Sequence, residues 1–297
     1  MRNIFVKELV QHARKNDNIA LIVGDLGFSV VEPFAEEFPD RFINAGVAEQ
    51  NMTSIAAGMA SEGYHVFTYS IANFPTFRCA EQIRNDIDYH NLSVNIVSVG
   101  GGVAYGNLGY SHHAIQDFAL MRSMPNILIA SPGDPFEMSA CLDYLIGNPQ
   151  PSYIRINKAG EKNIHKSKPE LLPGYHQIIK NNNNADKLIL TTGAVLRLAL
   201  DMWESSEEIK NNWSIGSLPL WGEAFRKTIY DQLKNYNRID TIEEHLLSGG
   251  FGSFLLESGI NCRAHCLDVA VCGEVGAQDY LNNKFGFNSK SRLGIDE

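Results

Sequence analysis

The sequence predicts an α/β protein of two domains, each a mostly parallel sheet covered by helices. Three observations carry this. Apolar runs of strand length alternate with helix-period segments along most of the chain. That alternation breaks once, over a polar stretch rich in lysine and asparagine between residues 158 and 186. A chain of 297 residues also suits two moderate cores better than one large one. The expected organisation is a first domain over 1–165, a linker over 166–186 and a second domain over 187–297.

The elements follow in order. Ile4, Phe5, Leu9, Val10 and Ala13 recur at helical intervals and predict a helix over 3–15. Ile19–Val23 is a buried strand ending in Gly24-Asp-Leu-Gly27, which puts an acid at a carboxyl edge, where open α/β sheets bind ligands. Phe42 and Ile43 form a short strand, Gly46 a turn, and Glu49 opens a helix with Met52, Ile55, Ala56 and Met59 on one face. A strand at 65–69, a helix over 76–88 and a strand at 95–99 lead into the glycine-rich run from Gly100 to His113. A strand at 127–130 precedes Asp134-Pro-Phe-Glu137, where a capping Asp, a Pro at the first helical position and a Glu three residues after the cap mark a helix start. A strand at 152–156 ends the first block. The linker carries one extended piece near 175–179. Beyond it we expect strands at 188–191, 214–218, 239–242 and 264–271, helices over 194–203 and 221–233, and a further helix opening after Glu243.

Composition narrows the function. A formal net charge of −9 argues against a broad nucleic-acid surface. The N-terminal decapeptide has scattered charges and no apolar run, so it does not read as a signal peptide, and no stretch is long enough to span a bilayer. The five cysteines are odd in number and scattered, which suits a reducing, cytoplasmic setting. Cys262, His265 and Cys266 lie close in sequence, but they read as a strand and its exit, without a second ligand pair for zinc.

Three features carry candidate chemistry. Glu49 is a carboxylate in the first turn of a helix and against an apolar surface, either an ordinary first-turn acid or a placed catalytic one. The glycine-rich run lacks the order of a phosphate loop or a dinucleotide fingerprint, and reads as a long connection or as an active-site loop presenting His112 and His113. Glu243-Glu244-His245 sits at a strand end with no nucleophile or metal set, and reads as a structural or interface feature.

Five ordered motifs then resemble the transketolase family. They are Gly24-Asp-Leu-Gly27, Arg41-Phe-Ile-Asn-Ala-Gly-Val-Ala-Glu-Gln-Asn-Met52, Arg78-Cys-Ala-Glu-Gln-Ile-Arg84, Ser111-His-His113, and Pro125-Asn126 with Ser131-Pro-Gly-Asp134. The resemblance covers the whole chain but only the second half of a full-length transketolase, its pyrimidine-binding and C-terminal domains. The Gly-Asp-Gly motif with which the family holds a divalent metal on the cofactor diphosphate does not occur here. The resemblance therefore implies a split enzyme. Thiamine diphosphate and Mg²⁺ would be completed by an N-terminal transketolase subunit that carries the diphosphate- and metal-binding domain. Two copies of each chain would form a heterotetramer, and this chain alone would be inactive.

The same resemblance assigns roles. Glu49 matches the carboxyl group that shares a proton with the cofactor pyrimidine; burial opposes its ionisation while a helix N-terminus favours the anion. Phe74 matches the aromatic stacked on that ring, Ile71 stands where an aromatic is common, and Asp25 matches an acid that places the cofactor. His112 matches a histidine that bonds the donor carbonyl oxygen, and Arg2, Ser29 and Arg155 match sugar-phosphate contacts. No residue of this chain is expected to ligate metal.

Two positions depart from the family. Leu108 replaces an acid that reads the donor's hydroxyl stereochemistry, and an upstream histidine falls at Gly100. The implied activity is transfer of a two-carbon ketol unit from a ketose, phosphorylated by the match of those three residues, to an aldose, with a specialised donor. Two other readings are kept. One is a pyruvate-decarboxylating thiamine enzyme, of the 1-deoxyxylulose-5-phosphate synthase or 2-oxo acid dehydrogenase beta-subunit type. The other is a non-catalytic scaffold subunit, against which the joint retention of Asp25, Glu49 and His112 speaks.

Overall fold

The computed structural model describes residues 1–158, 160–182 and 185–288. The first sheet is built from β1 (Ile19–Val23), β2 (Phe42–Asn44), β3 (His65–Ile71), β4 (Val94–Val99), β5 (Leu128–Ala130) and β6 (Ser152–Ile156). The second takes β7 (Gln177–Lys180), β8 (Lys187–Thr191), β9 (Trp213–Ser217), β11 (Arg238–Ile242) and β12 (Cys262–His265), while β10 (Leu220–Trp221) returns to the first. Strand order is β10-β5-β6-β4-β3-β1-β2 in one sheet and β12-β11-β8-β9-β7 in the other. Among the named strands of the described residues, β10 against β5 and β7 against β9 run antiparallel and the other pairs parallel. β1 and β4 are buried along their full length, as expected of parallel strands covered on both faces.

The predicted architecture holds, with local corrections. The extended piece in the expected linker is β7, an edge strand of the second sheet, and the segment before it lies on the first domain, where Leu171 is buried in its core. Residues 183–184 of that linker and 289–297 of the expected second domain lie outside the described residues. The helix expected over 76–88 is three short turns, Phe74–Phe77, Ala80–Gln82 and a π-helical Ile83–Asp88. Trp221 opens no helix; it pairs with Ile129 in β10, and the helix begins at Arg226. The last expected strand stops at His265 and is followed by a 3₁₀ turn, Val269–Gly273. Short helices at Glu207–Asn212 and Gln278–Lys284 lie where the sequence predicts none.

One apolar cluster runs through both halves. Trp221 packs its ring 5.2 Å from Phe118 and from Phe251 and 5.0 Å from Phe254, and its indole donates to Thr192 Oγ1 at 3.0 Å. Phe118 belongs to the first domain and the other three contacts to the second, so the two sheets share a core. Among the described residues no helix is long and apolar enough to cross a membrane.

Candidate active site

The carboxyl ends of β1, β2, β3 and β4 and the glycine-rich loop after β4 converge on one edge, as the topology of a parallel sheet dictates. Glu49 is the first residue of the helix Glu49–Ser61 and is 3% exposed. Its Oε2 accepts a hydrogen bond from Arg78 Nη1 at 2.9 Å, whereas Oε1 is buried with no partner. Gly24 lies beside it: a Cβ there would stand in ordinary contact, 3.5 Å from Glu49 Cγ and 3.7 Å from Oε1. A buried acceptor without a donor is costly, and Glu137 Oε1 and Asp117 Oδ1 are in the same state elsewhere in the fold.

Arg78 also lies over the Phe74 ring, 4.1 Å from its centroid, and Phe74 meets the His112 imidazole edge-on at 5.1 Å. Asn73 donates to the carbonyls of His113 at 2.7 Å and Ser111 at 3.3 Å, which ties the histidine loop to the end of β3. Burial first, then the Arg78 charge, holds His112 below the ordinary imidazole range. His112 is therefore neutral near pH 7, its Nδ1 2.9 Å from Ser111 Oγ, and the two ring nitrogens provide one donor and one acceptor. His113 is fully buried, with its imidazole pushed down by desolvation, which suits a supporting neighbour.

On the other side of His112, Tyr105 lies at 6.4 Å between ring centroids. A side chain at Gly100, whose φ is +90°, would put its Cβ 2.2 Å from that ring; this explains why the expected histidine position holds glycine. Lys158 Nζ sits 4.3 Å from the Tyr105 centroid, and its ammonium is pushed down by burial and then by the charge of Arg2. Arg2 also acts on Tyr69 and Tyr105, and its Nε is buried without a partner. Among the described residues neither cation has a carboxylate partner, and the two repel each other beside the phenol rings.

Asp25, at φ +56°, exchanges hydrogen bonds with Asn44: its N–H donates to Oδ1 at 3.1 Å and its Oδ1 accepts from Nδ2 at 3.0 Å. Ile71 closes β3 half-buried beside Ala72 and Asn73. Ser29, exposed at φ +62°, has its N–H donating to Glu32 Oε1 at 2.7 Å. Leu108 is an exposed turn residue on the glycine-rich loop.

Arg155 departs from its expected role. It lies inside β6, 7% exposed, and its fork is occupied: Nε donates to Asp117 Oδ2 at 2.7 Å, and Nη2 to the carbonyls of Ala114 at 2.7 Å and Glu244 at 2.9 Å. Lys158, two residues past the end of that strand, is the cation that lies over Tyr105 near Arg2. Cys262 and His265 do not converge on a metal: Cys262 Sγ donates to Gly252 O and His265 bonds Asp240. Among the described residues Glu8, His12 and Asp143 form the one close group of metal-ligating side chains, and Lys168 already cross-links it at 2.7 Å from Asp143 and 3.8 Å from Glu8.

An acid with a free buried oxygen, an aromatic with a cation over it, a neutral histidine and two neighbouring cations thus share one sheet edge. The transketolase pyrimidine-binding domain family matches residues 1–160, and the chain belongs to the transketolase family. It is 31% identical to a putative transketolase C-terminal section of Methanocaldococcus jannaschii, over 98% of this chain and 93% of that one. It is 28% identical to one subunit of the apulose-4-phosphate transketolase of Actinobacillus succinogenes, over 86% of this chain and 82% of that one. Among solved structures, a split gene transketolase described as an inactive beta4 tetramer superposes with a TM-score of 0.84 at 28% identity, covering 99% of this chain and 95% of that one.

Proposed function

We propose that this chain is the C-terminal subunit of a two-chain transketolase and contributes the pyrimidine side of a thiamine diphosphate site. The observation that carries the reading is the buried, unpartnered Oε1 of Glu49, in line with Phe74, His112 and the Arg2–Lys158 pair. These residues fit the group: Oε1 lacks a donor and Phe74 offers a ring face. When bound, thiamine diphosphate supplies the carbon nucleophile of ketol transfer.

Glu49 holds or shares a proton at Oε1, and Arg78 fixes the other oxygen so that only one is offered. Asp25, clamped by Asn44, and Ile71 complete the cofactor side of the pocket with Phe74. His112 donates from a ring nitrogen to the carbonyl oxygen of the ketose donor, stabilising charge that develops there. Arg2 and Lys158, with Ser29 at the rim, hold the terminal phosphate of the donor. Arg155 reaches this pocket only if its present bonds open. The departures at Leu108 and Gly100, and an apulose-4-phosphate enzyme among the relatives, support a specialised ketose phosphate over the common pentose. Diphosphate and Mg²⁺ are assigned to an N-terminal partner subunit, in an assembly of two plus two.

Mixing the chain with such a partner tests this. Glu49→Gln keeps fold and assembly and lowers turnover by about a hundredfold or more; parental turnover in the assembled variant would remove the assignment. Lys158→Met raises KM for phosphorylated donors about tenfold and leaves non-phosphorylated donors alone; equal KM values would move the phosphate elsewhere. Release of CO₂ from pyruvate by the pair would replace ketol transfer with the decarboxylating reading.

A further inference from the structure

The glycine-rich loop that carries His112 is packed by the other domain as well as by its own. Gly102 and Ala114 exchange both backbone hydrogen bonds at 2.8 Å, which closes the loop at its base. Val103 and Ile115, just inside and just outside that closure, are fully buried in the core of the C-terminal domain with Leu196, Val195 and Leu281. Leu246 N–H donates to Ile115 O at 3.0 Å and Gly276 N–H to Gly106 O at 3.1 Å. A side chain at Gly106 would strike Gly276 O at 2.4 Å and Leu281 at 2.6 Å.

Glu244 lies at the centre of these contacts. Its carboxylate accepts from Gln278 Nε2 at 2.7 Å and from Asn282 Nδ2 at 3.4 Å. It fits under Gly102, whose φ is +66° and where a Cβ would fall 2.3 Å from the carboxyl carbon. The Glu244 carbonyl, together with that of Ala114, accepts from Arg155. Burying a charge in this way is costly, and it is retained where it fixes one arrangement.

We propose that Glu244, braced by Gln278 and Asn282, is a positioning residue: through it the C-terminal domain sets the conformation of the 103–113 loop and thereby the place of His112. The catalytic consequence rests on the role given to His112 above; the conformational one does not.

The test is hydrogen exchange of the chain, with kinetics of the reconstituted pair. Glu244→Gln turns one acceptor into a donor facing donors, and Gln278→Ala removes a brace at a half-exposed site that leaves the core intact. In both variants backbone amides of 103–113 exchange about tenfold faster or more, with β1 and β3 unchanged. In the pair, kcat falls while donor KM stays within about twofold. Glu257→Ala, which removes the separate interdomain pair with Arg122, is the control and leaves the loop unchanged. Loop exchange at the parental rate in both variants, or equal acceleration by Glu257→Ala, overturns the proposal. If the pair shows no ketol transfer, the functional reading fails, while the exchange result still decides the positioning claim.

Discussion

Glu49 has one oxygen bound and one buried without a donor, a pattern that Glu137 and Asp117 share, so the role proposed for Glu49 rests also on its place at the carboxyl edge of the sheet. His65 shows the contrasting, structural use of a buried polar side chain. It stacks on Phe67 at 5.0 Å, meets Asn95 Nδ2 at 2.5 Å, and burial pushes its imidazole down from 6.5 to about 4. The unfolded chain therefore takes a proton that the folded chain refuses. Stability from this residue is complete above pH 6.5 and is lost as pH falls toward about 4. The loss is up to roughly 3 kcal/mol at the acid end. Chemical denaturation of His65→Gln at neutral and acid pH should show a smaller acid loss than the parent, and an equal loss would contradict the assignment. At this scale the proposed roles of Glu49, Phe74 and His112 were legible because a motif match survives local detail. The cation proposed to hold phosphate, Lys158, was not. Arg155 sits in a strand buried along its whole length, where a free cation is too expensive, while Lys158 stands past the carboxyl end, where parallel sheets meet ligands. That position was the available signal, hidden because residue 158 opens a stretch that reads as linker.

At the scale of elements, the strands and the helices with strong periodicity were legible, and the pieces that belong to another domain's sheet were not. β10 is only two residues long and has no period to read; its place is fixed by partners far away in sequence. The same long-range pairing makes β7 from a segment that looks like connection. Trp221 is the clearest consequence. Because its ring fills the junction of both cores, Trp221→Ala should destabilise the whole chain by about 3–5 kcal/mol. It should also keep a single unfolding transition, read by denaturant titration with tryptophan-independent far-ultraviolet dichroism. Two separated transitions in the parent would show that the shared core does not couple the domains.

At the scale of the molecule, the chain presents one face of a site. Among the described residues it gathers the Glu49 carboxyl, the Phe74 ring, the His112 imidazole and two cations at a single edge, with its own C-terminal domain packed beneath the loop that carries the histidine. No Gly-Asp-Gly occurs in its sequence to hold a metal on a diphosphate. The most direct test of a shared site is calorimetric titration of thiamine diphosphate with Mg²⁺ into this chain, into the N-terminal partner, and into their equimolar mixture. The mixture is expected to bind about a hundredfold more tightly than either chain, because each alone makes only part of the contacts. Equal affinity for the mixture and for one chain alone would contradict a shared site.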